Sequence, residues 1–333
     1  MSGLAILGAG SWGTALAKLV ADKGIAVRLW VRRAELADAI RRTHRNAAYL
    51  PDAELPANLL ATSDLAEAVA GADAVFVVVP SHGLRDLARR LAPLLGANVP
   101  VVSATKGIEN DSLMLMTEIL AQELRLGDAR LCAVGGPSFA REVALGMPTA
   151  VCVAGRDADT ARHIQELLAS DRFRVYTTDD LTGLELGGAL KNVIAIAVGA
   201  ADGLGFGHNA RAGLITRGIA EVARLATHLG ANPQTLAGLS GLGDLVLTCT
   251  SDLSRNRTVG LALGRGRSLQ DVLADMHMVA EGVRTAKSAH DLALREGVEL
   301  PITAEVFRAL YEGKSPSAAV ASLLGRALRA ERD

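Results

Sequence analysis

Aromatic side chains are scarce in this chain: phenylalanine, tryptophan and tyrosine make up 3% of its 333 residues. Nucleic-acid binding normally draws on stacking rings and a basic field, and a formal net charge of −1 supplies no such field. DNA and RNA are therefore not expected partners. Cysteine is rarer still, at three residues. Cys132, Cys152 and Cys249 stand apart in apolar surroundings without C-x-x-C spacing and read as reduced core thiols. The seven histidines lack H-E-x-x-H or any paired ligand spacing, so no metal is suggested. Long hydrophobic runs are missing too. The longest clean one, Val193 to Ala201, is bounded by Lys191 and Asp202 and falls well short of the roughly 20 residues that cross a bilayer. No charged leader with a cleavage site is visible, so the expectation is a cytoplasmic protein without membrane insertion.

What is present is apolar and glycine-rich. Half the residues are hydrophobic, and 333 of them exceed one comfortable core, so two domains are expected. The chain opens with a short apolar strand, Leu4 to Leu7, followed at once by Gly8, Gly10 and Gly13 and a helix with Ala15, Leu16, Leu19 and Val20 on its apolar face. This is G-x-G-x-x-G between strand and helix. Gly8 permits the tight turn, Gly10 lets backbone approach a pyrophosphate, Gly13 lets helix and strand pack, and the helix N-terminus offers N–H groups to the anion. A second strand, Ile25 to Val31, runs into Arg32 and Arg33, where a carboxylate would hold the ribose of NAD. Guanidinium there suits the 2′-phosphate of NADP, while Glu35 nearby argues for NAD; NADP is preferred on these residues.

Further short β-rich runs follow at Ala74 to Val79, Val99 to Ser103, Leu131 to Val134, Ala150 to Val153 and Arg174 to Thr177, alternating with helical segments as in a parallel α/β sheet. Near residue 180 the texture changes. Ile215, Ile219, Val222, Ala226 and Leu229 follow helical periodicity up to Gly230, and helical patterns cover Glu281 to Arg295, Thr303 to Tyr311 and Ser317 to Leu328. The expected division is a dinucleotide-binding domain over 1–182 and a helical substrate domain over 183–333.

One ammonium lies inside the most apolar stretch of that second half. Lys191 shares a helical stripe with Gly187, Gly188, Ala195 and Gly199, small residues expected to leave open space beside the amine. Burial disfavours its charged form and brings its pKa toward neutrality, where it can act as acid or base. An isolated lysine can equally snorkel to solvent, so its company decides. SATKGIEN puts Lys106 just past a strand end, VGGPSFARE puts Gly135, Gly136 and Ser138 past another, and the segment from Asp244 to Asn256, read as a long polar loop, supplies Asp244, Ser254, Arg255, Asn256 and Arg257. Each is ordinary alone; together with Lys191 they point to one shared site.

Taken in order, GAGSWGTALA, NAAYLP, SATKGIE, GPSFAREV, ELGGALKNVIAIAVGAADGLGFGHNARAGLITRG, GLGDLVLTCTSDLSRNR and VAEGVRT resemble the bacterial NAD(P)-dependent glycerol-3-phosphate dehydrogenases from residue 8 to residue 285. The resemblance implies a Rossmann-type parallel-sheet domain followed by an all-helical C-terminal domain, a homodimer, and reversible reduction of dihydroxyacetone phosphate to sn-glycerol 3-phosphate for glycerophospholipid synthesis. It implies Lys191 as the proton-transfer residue, with Lys106, Gly136, Ser138, Asp244, Ser254, Arg255 and Asn256 at the substrate. By the same likeness Ser11, Trp12, Arg32, Arg33, Lys106, Ala140, Arg255, Val279 and Glu281 contact the dinucleotide, NADP or NAD. In this chemistry Lys191 protonates the oxygen on which charge develops, Lys106 adds positive charge and lowers the pKa of its neighbour, and Asn192 and Asp244 are placed to orient the amine. Two other readings stay open: a reductase of a carboxylate substrate such as a β-hydroxyacid or ketopantoate, since Ser254, Arg255 and Asn256 could grip a carboxylate, and a non-catalytic dinucleotide sensor.

Overall fold

The computed structural model describes residues 3–276, 280–328 and 330–331. Ten strands form in the first half: β1 (Gly3–Leu7), β2 (Val27–Trp30), β3 (Arg45–Asn46), β4 (Leu50–Glu54), β5 (Leu59–Thr62), β6 (Ala72–Val77), β7 (Val101–Ser103), β8 (Leu131–Gly135), β9 (Thr149–Ala154) and β10 (Phe173–Thr178). Eight of them make one sheet in the order β10-β9-β8-β7-β6-β1-β2-β5. Its central strands are apolar on both faces because helices cover both, and Phe76, Ile6 and Leu7 are fully buried. Each such side chain contributes about 1.5–3 kcal/mol by leaving water.

From β1 the chain winds one way to β2 and β5 and, after β6, the other way to β7 and β8, so the order reverses between β1 and β6. A crevice opens at the carboxyl ends of strands at such a reversal, which is where a ligand finds room. The turn after β1 lies in it. Gly8 has φ +125°, and a Cβ there would stand 2.3 Å from the Val78 carbonyl oxygen beyond β6.

The sheet is parallel as expected except at one edge. β9 is antiparallel to β8, and β10 is parallel to β9, so the last two strands run against the others. The helix between β8 and β9, Ala140–Ala144, has five residues. At about 1.5 Å per residue it covers roughly 7.5 Å, too little to carry the chain back along a strand that rises about 3.3 Å per residue. The β3–β4 hairpin and β5 lie where the sequence pattern predicts no strand.

Past Thr178, every regular element among the described residues is helical. Helix Leu181–Gly203 runs through the middle and is buried on nearly every side, with His208–His228, Arg255–Gly264, Glu281–Glu296 and Pro301–Tyr311 packed around it. Over 23 residues it is long and apolar enough to cross a membrane, unlike the shorter run expected, yet 89% of its apolar window is buried inside this fold. Its closest neighbour is helix Arg255–Gly264. A Cβ added at Gly199 or Gly203 would stand 2.1 or 2.4 Å from carbonyl oxygens of that helix, and one at Gly260 or Gly264 would stand 2.0 or 2.2 Å from those of the central helix. Backbone therefore meets backbone along this seam.

The final helix is Pro316–Leu324, shorter than its pattern suggests, and Leu328 beyond it is fully exposed. Cys132 and Cys249 are buried thiols, whereas Cys152 is only half-buried. Core packing crosses between the halves: Ile108 and Leu115, which bridge to each other in the loop after β7, belong to the core of the helical half.

Candidate active site

The glycine turn is built to receive an anion. A Cβ at Gly13 would stand 1.9 Å from the Gly8 carbonyl oxygen, so helix Ser11–Asp22 can lie against the turn only because position 13 has none. Gly10, by contrast, faces open space, with nothing within 4 Å of where its Cβ would be. It is also the N-cap, and no side chain caps the helix. Free N–H groups beside an open approach fit a pyrophosphate. Trp12 has a buried indole N–H with no hydrogen-bond partner. Arg32 and Arg33 follow β2 with exposed side chains, Arg33 being the N-cap of helix Ala34–Thr43 and Glu35 lying in its first turn.

The lysines meet on the far side of the crevice. Asp244 is 1% exposed and takes Lys106 Nζ on Oδ2 at 2.7 Å, while Lys191 Nζ donates to its Oδ1. Lys191 also donates to Thr248 Oγ1 at 2.9 Å, and that hydroxyl donates to the Asp244 carbonyl oxygen at 2.6 Å. Burial pushes the Lys191 pKa down to about 8, with Lys106 adding to the fall and Asp244 opposing it. Burial alone would raise the Asp244 carboxyl, but the two ammonium groups outweigh it and hold it below the usual carboxylate range. The result is a buried carboxylate kept ionised between two cations, one of which can lose its proton near neutrality.

Three elements bring these groups together. Lys106 sits beyond the carboxyl end of β7, its stem 3.6 Å from where a Gly188 Cβ would lie, and Lys191 projects from the central helix. Asp244 starts helix Asp244–Thr250 directly after the π-helical turn Leu239–Gly243, a distortion that recurs at functional sites. Gly136 follows β8 with φ +125°, and the Ser138 hydroxyl donates to its carbonyl oxygen at 2.9 Å. Pro137 between them comes within 3.7 Å of where a Gly243 Cβ would stand, which sets this loop beside Asp244. Ala140 opens the short helix beyond it.

Several expectations need correction. The stretch from Asp244 to Asn256 is not a long loop: helix Asp244–Thr250 and helix Arg255–Gly264 fill it, leaving only Ser251 to Ser254 between them. Polar residues at helix starts imitate a loop pattern. Ser254 caps the second helix, its Oγ accepting from Arg257 N at 3.2 Å. Nor do the small residues beside Lys191 leave open space. A Cβ at Gly187 would meet the Ser240 carbonyl oxygen at 2.6 Å, and Gly199 belongs to the helix seam, so the stripe admits backbone rather than a ligand.

Asn192 does not orient the amine either. Its Oδ1 accepts from Asn256 Nδ2 at 2.8 Å, and Asn256 Oδ1 accepts from Gly282 N at 2.9 Å. This chain of amides ties the central helix to the start of helix Glu281–Glu296. Glu281 accepts from Ser81 Oγ at 2.7 Å, joining that helix to the loop after β6. Arg255 is close enough to feel the charge of Glu281, although desolvation lowers the pKa of its guanidinium. Val279 lies outside the described residues.

Sequence reasoning passed over Thr248, Ser81, Asn46 and Tyr49. Thr248 stands one helical turn after Asp244, a spacing that could have found it. Asn46 Nδ2 donates to Ala9 O at 2.9 Å and Thr14 Oγ1 at 2.8 Å, and Ser11 Oγ donates to Tyr49 O at 2.7 Å, so the β3–β4 hairpin braces the glycine turn. Both belong to NAAYLP, whose role no local pattern reveals.

Comparison with known proteins agrees over the whole length. The model described as NAD-dependent glycerol-3-phosphate dehydrogenase N-terminus matches residues 3–161, and that for the C-terminus matches residues 180–321. A glycerol-3-phosphate dehydrogenase (NAD(P)+) of Geobacter sulfurreducens is 54% identical over 330 residues, covering 99% of this chain and 98% of that one. A protein of the same name from Syntrophobacter fumaroxidans is 51% identical, covering 98% and 97%. The crystal structure of glycerol-3-phosphate dehydrogenase from Coxiella burnetii superposes with a TM-score of 0.94 at 42% identity, covering 98% of this chain and 99% of that one. A ketopantoate reductase from Ralstonia eutropha shares the fold alone, with a TM-score of 0.60 at 19% identity.

Proposed function

Because the chain belongs to the NAD-dependent glycerol-3-phosphate dehydrogenase family, we infer that this crevice reversibly reduces dihydroxyacetone phosphate to sn-glycerol 3-phosphate with NAD(P)H. The observation that carries the reading is the Asp244 carboxylate held between Lys106 and Lys191 at the crevice. A binding protein without chemistry has no use for a buried amine whose pKa is brought to about 8.

The bound nicotinamide dinucleotide supplies the hydride in reduction and takes it back in oxidation. Gly8, Gly10 and Gly13 would set the turn that receives its pyrophosphate, with Ser11, Trp12 and Ala140 alongside and Lys106, Arg255 and Glu281 toward the reacting end. Arg32 and Arg33 favour NADP over NAD, an inference supported by two exposed guanidinium groups past β2.

Lys191 carries the proton. As the carbonyl of dihydroxyacetone phosphate gains negative charge, the Lys191 ammonium stabilises the oxygen and then protonates it; in the reverse direction the neutral amine removes the hydroxyl proton. Asp244 and Thr248 hold the amine in place, and Lys106 adds positive charge beside it. Arg255 anchors the substrate phosphate with the Gly136–Ser138 loop, while Ser254 and Asn256 act by holding the helix that presents Arg255. Residues 1–182 thus hold most of the dinucleotide and 183–333 most of the substrate, with Lys106 and the Gly136–Ser138 loop reaching across to the substrate and Arg255 and Glu281 to the dinucleotide.

The same reading makes the protein a cytoplasmic homodimer whose product feeds glycerophospholipid synthesis. Exposed Leu242, Val246 and Leu253 support a subunit contact in the helical half. Turnover of dihydroxyacetone phosphate with NADPH and NADH in parallel, followed at the nicotinamide absorbance band against a β-hydroxyacid and ketopantoate, tests the assignment. Preference for either carboxylate substrate would overturn it.

A further inference from the structure

One buried carboxylate plays no part in the chemistry described above. Glu185, 5% exposed, lies six residues before Lys191 on the central helix, about 9 Å along its axis at 1.5 Å per residue. Its Oε1 accepts from Thr117 N at 3.0 Å and its Oε2 from the Thr117 hydroxyl. Thr117 belongs to the first turn of helix Met116–Leu124, in the sheet half of the chain, so a side chain of one half satisfies free N–H and O–H groups of the other. Glu118, next to Thr117 on the facing helix, repels this carboxylate. Desolvation raises the Glu185 pKa to about 7.

The segment it grips is the one that begins with Lys106. Ile108 and Leu115 bridge across that loop and bury in the helical core, and the Lys106 stem passes over Gly188, one turn beyond Glu185. Residues 106–117 are thus held at both ends, at the start by Gly188 of the central helix and by Asp244 of the helix beside it, and at the finish by Glu185. An apolar residue at 185 would suit the burial, yet it would leave the Thr117 N–H without an acceptor.

We propose that Glu185 is a positioning residue for the proton-transfer pair: it locks the Lys106–Thr117 segment onto the helix that carries Lys191 and so sets how near Lys106 stands to Lys191 across Asp244. The proposal rests on the assignment of Lys191 as the proton donor. Releasing the lock lets Lys106 withdraw. Lys191 then keeps Asp244 to itself, loses a like-charged neighbour and holds its proton to higher pH. The charges facing the amine in this account are Asp244 from the helix after the π-helical turn and Lys106 from the loop after β7.

The test compares Glu185→Ala, Glu185→Gln and Thr117→Val with the full-length enzyme, measuring Tm, NADPH affinity, kcat, KM and the pH profile of kcat/KM for dihydroxyacetone phosphate reduction. Glu185→Ala is expected to lower kcat about tenfold and move the alkaline limb up by about half a unit or more, with NADPH affinity within about twofold. Thr117→Val keeps the N–H bond and shifts the limb less, in the same direction. Glu185→Gln restores it, because the amide offers an oxygen to Thr117 N and an N–H to the hydroxyl. A lower Tm with an unmoved limb in folded Glu185→Ala would make the residue merely structural. If that variant fails to fold, an unmoved limb in Thr117→Val overturns the proposal instead. Lys191→Ala separates the two assignments: a limb that survives there belongs to another group and sinks the role of Lys191, whereas a limb lost there but unmoved in the other variants sinks only the role of Glu185.

Discussion

Lys106 and Lys191, 85 residues apart in the chain, share one carboxylate: each ammonium donates to a different oxygen of Asp244. One comes from the loop after β7 and the other from the central helix, so these ion pairs also join the two halves. Breaking a buried pair on one side leaves an uncompensated charge, which makes each member sensitive to loss of another.

Replacing Lys191 with Ala is expected to leave the fold and NADPH binding nearly intact and to cut kcat by about 10²- to 10⁴-fold, the usual contribution of a general acid. Steady-state turnover and dinucleotide titration check this, and wild-type-like turnover would end the assignment.

The pH dependence follows from the lowered pKa of that amine. Reduction needs ammonium, so its kcat/KM should fall as pH rises through about 8, and oxidation of sn-glycerol 3-phosphate should gain over the same range. Asp244 supports the charged form, so Asp244→Asn should move both limbs to lower pH. Parallel profiles in the two directions would show that Lys191 is not the group titrating.

For cofactor choice, changing Arg32 and Arg33 together to neutral residues should weaken NADPH by roughly 1–3 kcal/mol and NADH far less, as expected for lost charge-assisted bonds to a 2′-phosphate. Equal losses measured by fluorescence titration would mean that neither guanidinium reads the phosphate.

Arg255→Ala should reduce kcat/KM for dihydroxyacetone phosphate at least about tenfold, near 1.4 kcal/mol, while changing the poor turnover of unphosphorylated dihydroxyacetone much less. A remote phosphate anchor orients the carbonyl, so kcat should fall as well as KM rise. The comparison is made with NADPH saturating, because Arg255 also lies near Glu281 at the proposed cofactor site. Proportional losses on both substrates would release Arg255 from this role.

Glu221 carries a pH signature in stability rather than rate. Its buried carboxylate accepts from Ile302 N at 2.6 Å and Thr303 N at 3.2 Å, and burial raises its pKa from the ordinary 4.5 to about 7. The folded state therefore binds a proton that the unfolded chain releases between those values, and the stability this adds is full below about 4.5 and lost as pH rises through 7. Thermal unfolding of Glu221→Gln between about pH 5 and 7 should show a flatter dependence of Tm on pH than the parent. An unchanged slope would assign the proton to another group.

Local patterns revealed a good deal of this. The glycine turn was legible because G-x-G-x-x-G has one mechanical solution between strand and helix, and the helical half was legible from its 3.6-residue periodicity. Lys191 stood out as a lone charge in an apolar helix. The reversal of β9 was not legible, since strand direction depends on whether a connection with only a five-residue helix carries the chain back along the sheet, not on the strand's own residues. Asn192 reads from sequence as a partner of the Lys191 amine, and Asn256 falls at the substrate by resemblance, because sequence shows donors and acceptors but not their partners, which here include each other. Glycines beside Lys191 suggested a cavity for the same reason: a missing Cβ marks a close approach without saying what approaches.

The seam between helices Leu181–Gly203 and Arg255–Gly264 acts as a ruler. Gly199 and Gly203 on one side and Gly260 and Gly264 on the other bring main chain against main chain, so the spacing between these helices is fixed by atoms that every residue shares. The first helix carries the Lys191 amine and the second begins at Arg255. A lineage can rework the apolar faces around this pair and leave the amine and the guanidinium at the same separation, whereas a single methyl group at any of the four glycines would spread the two cations apart.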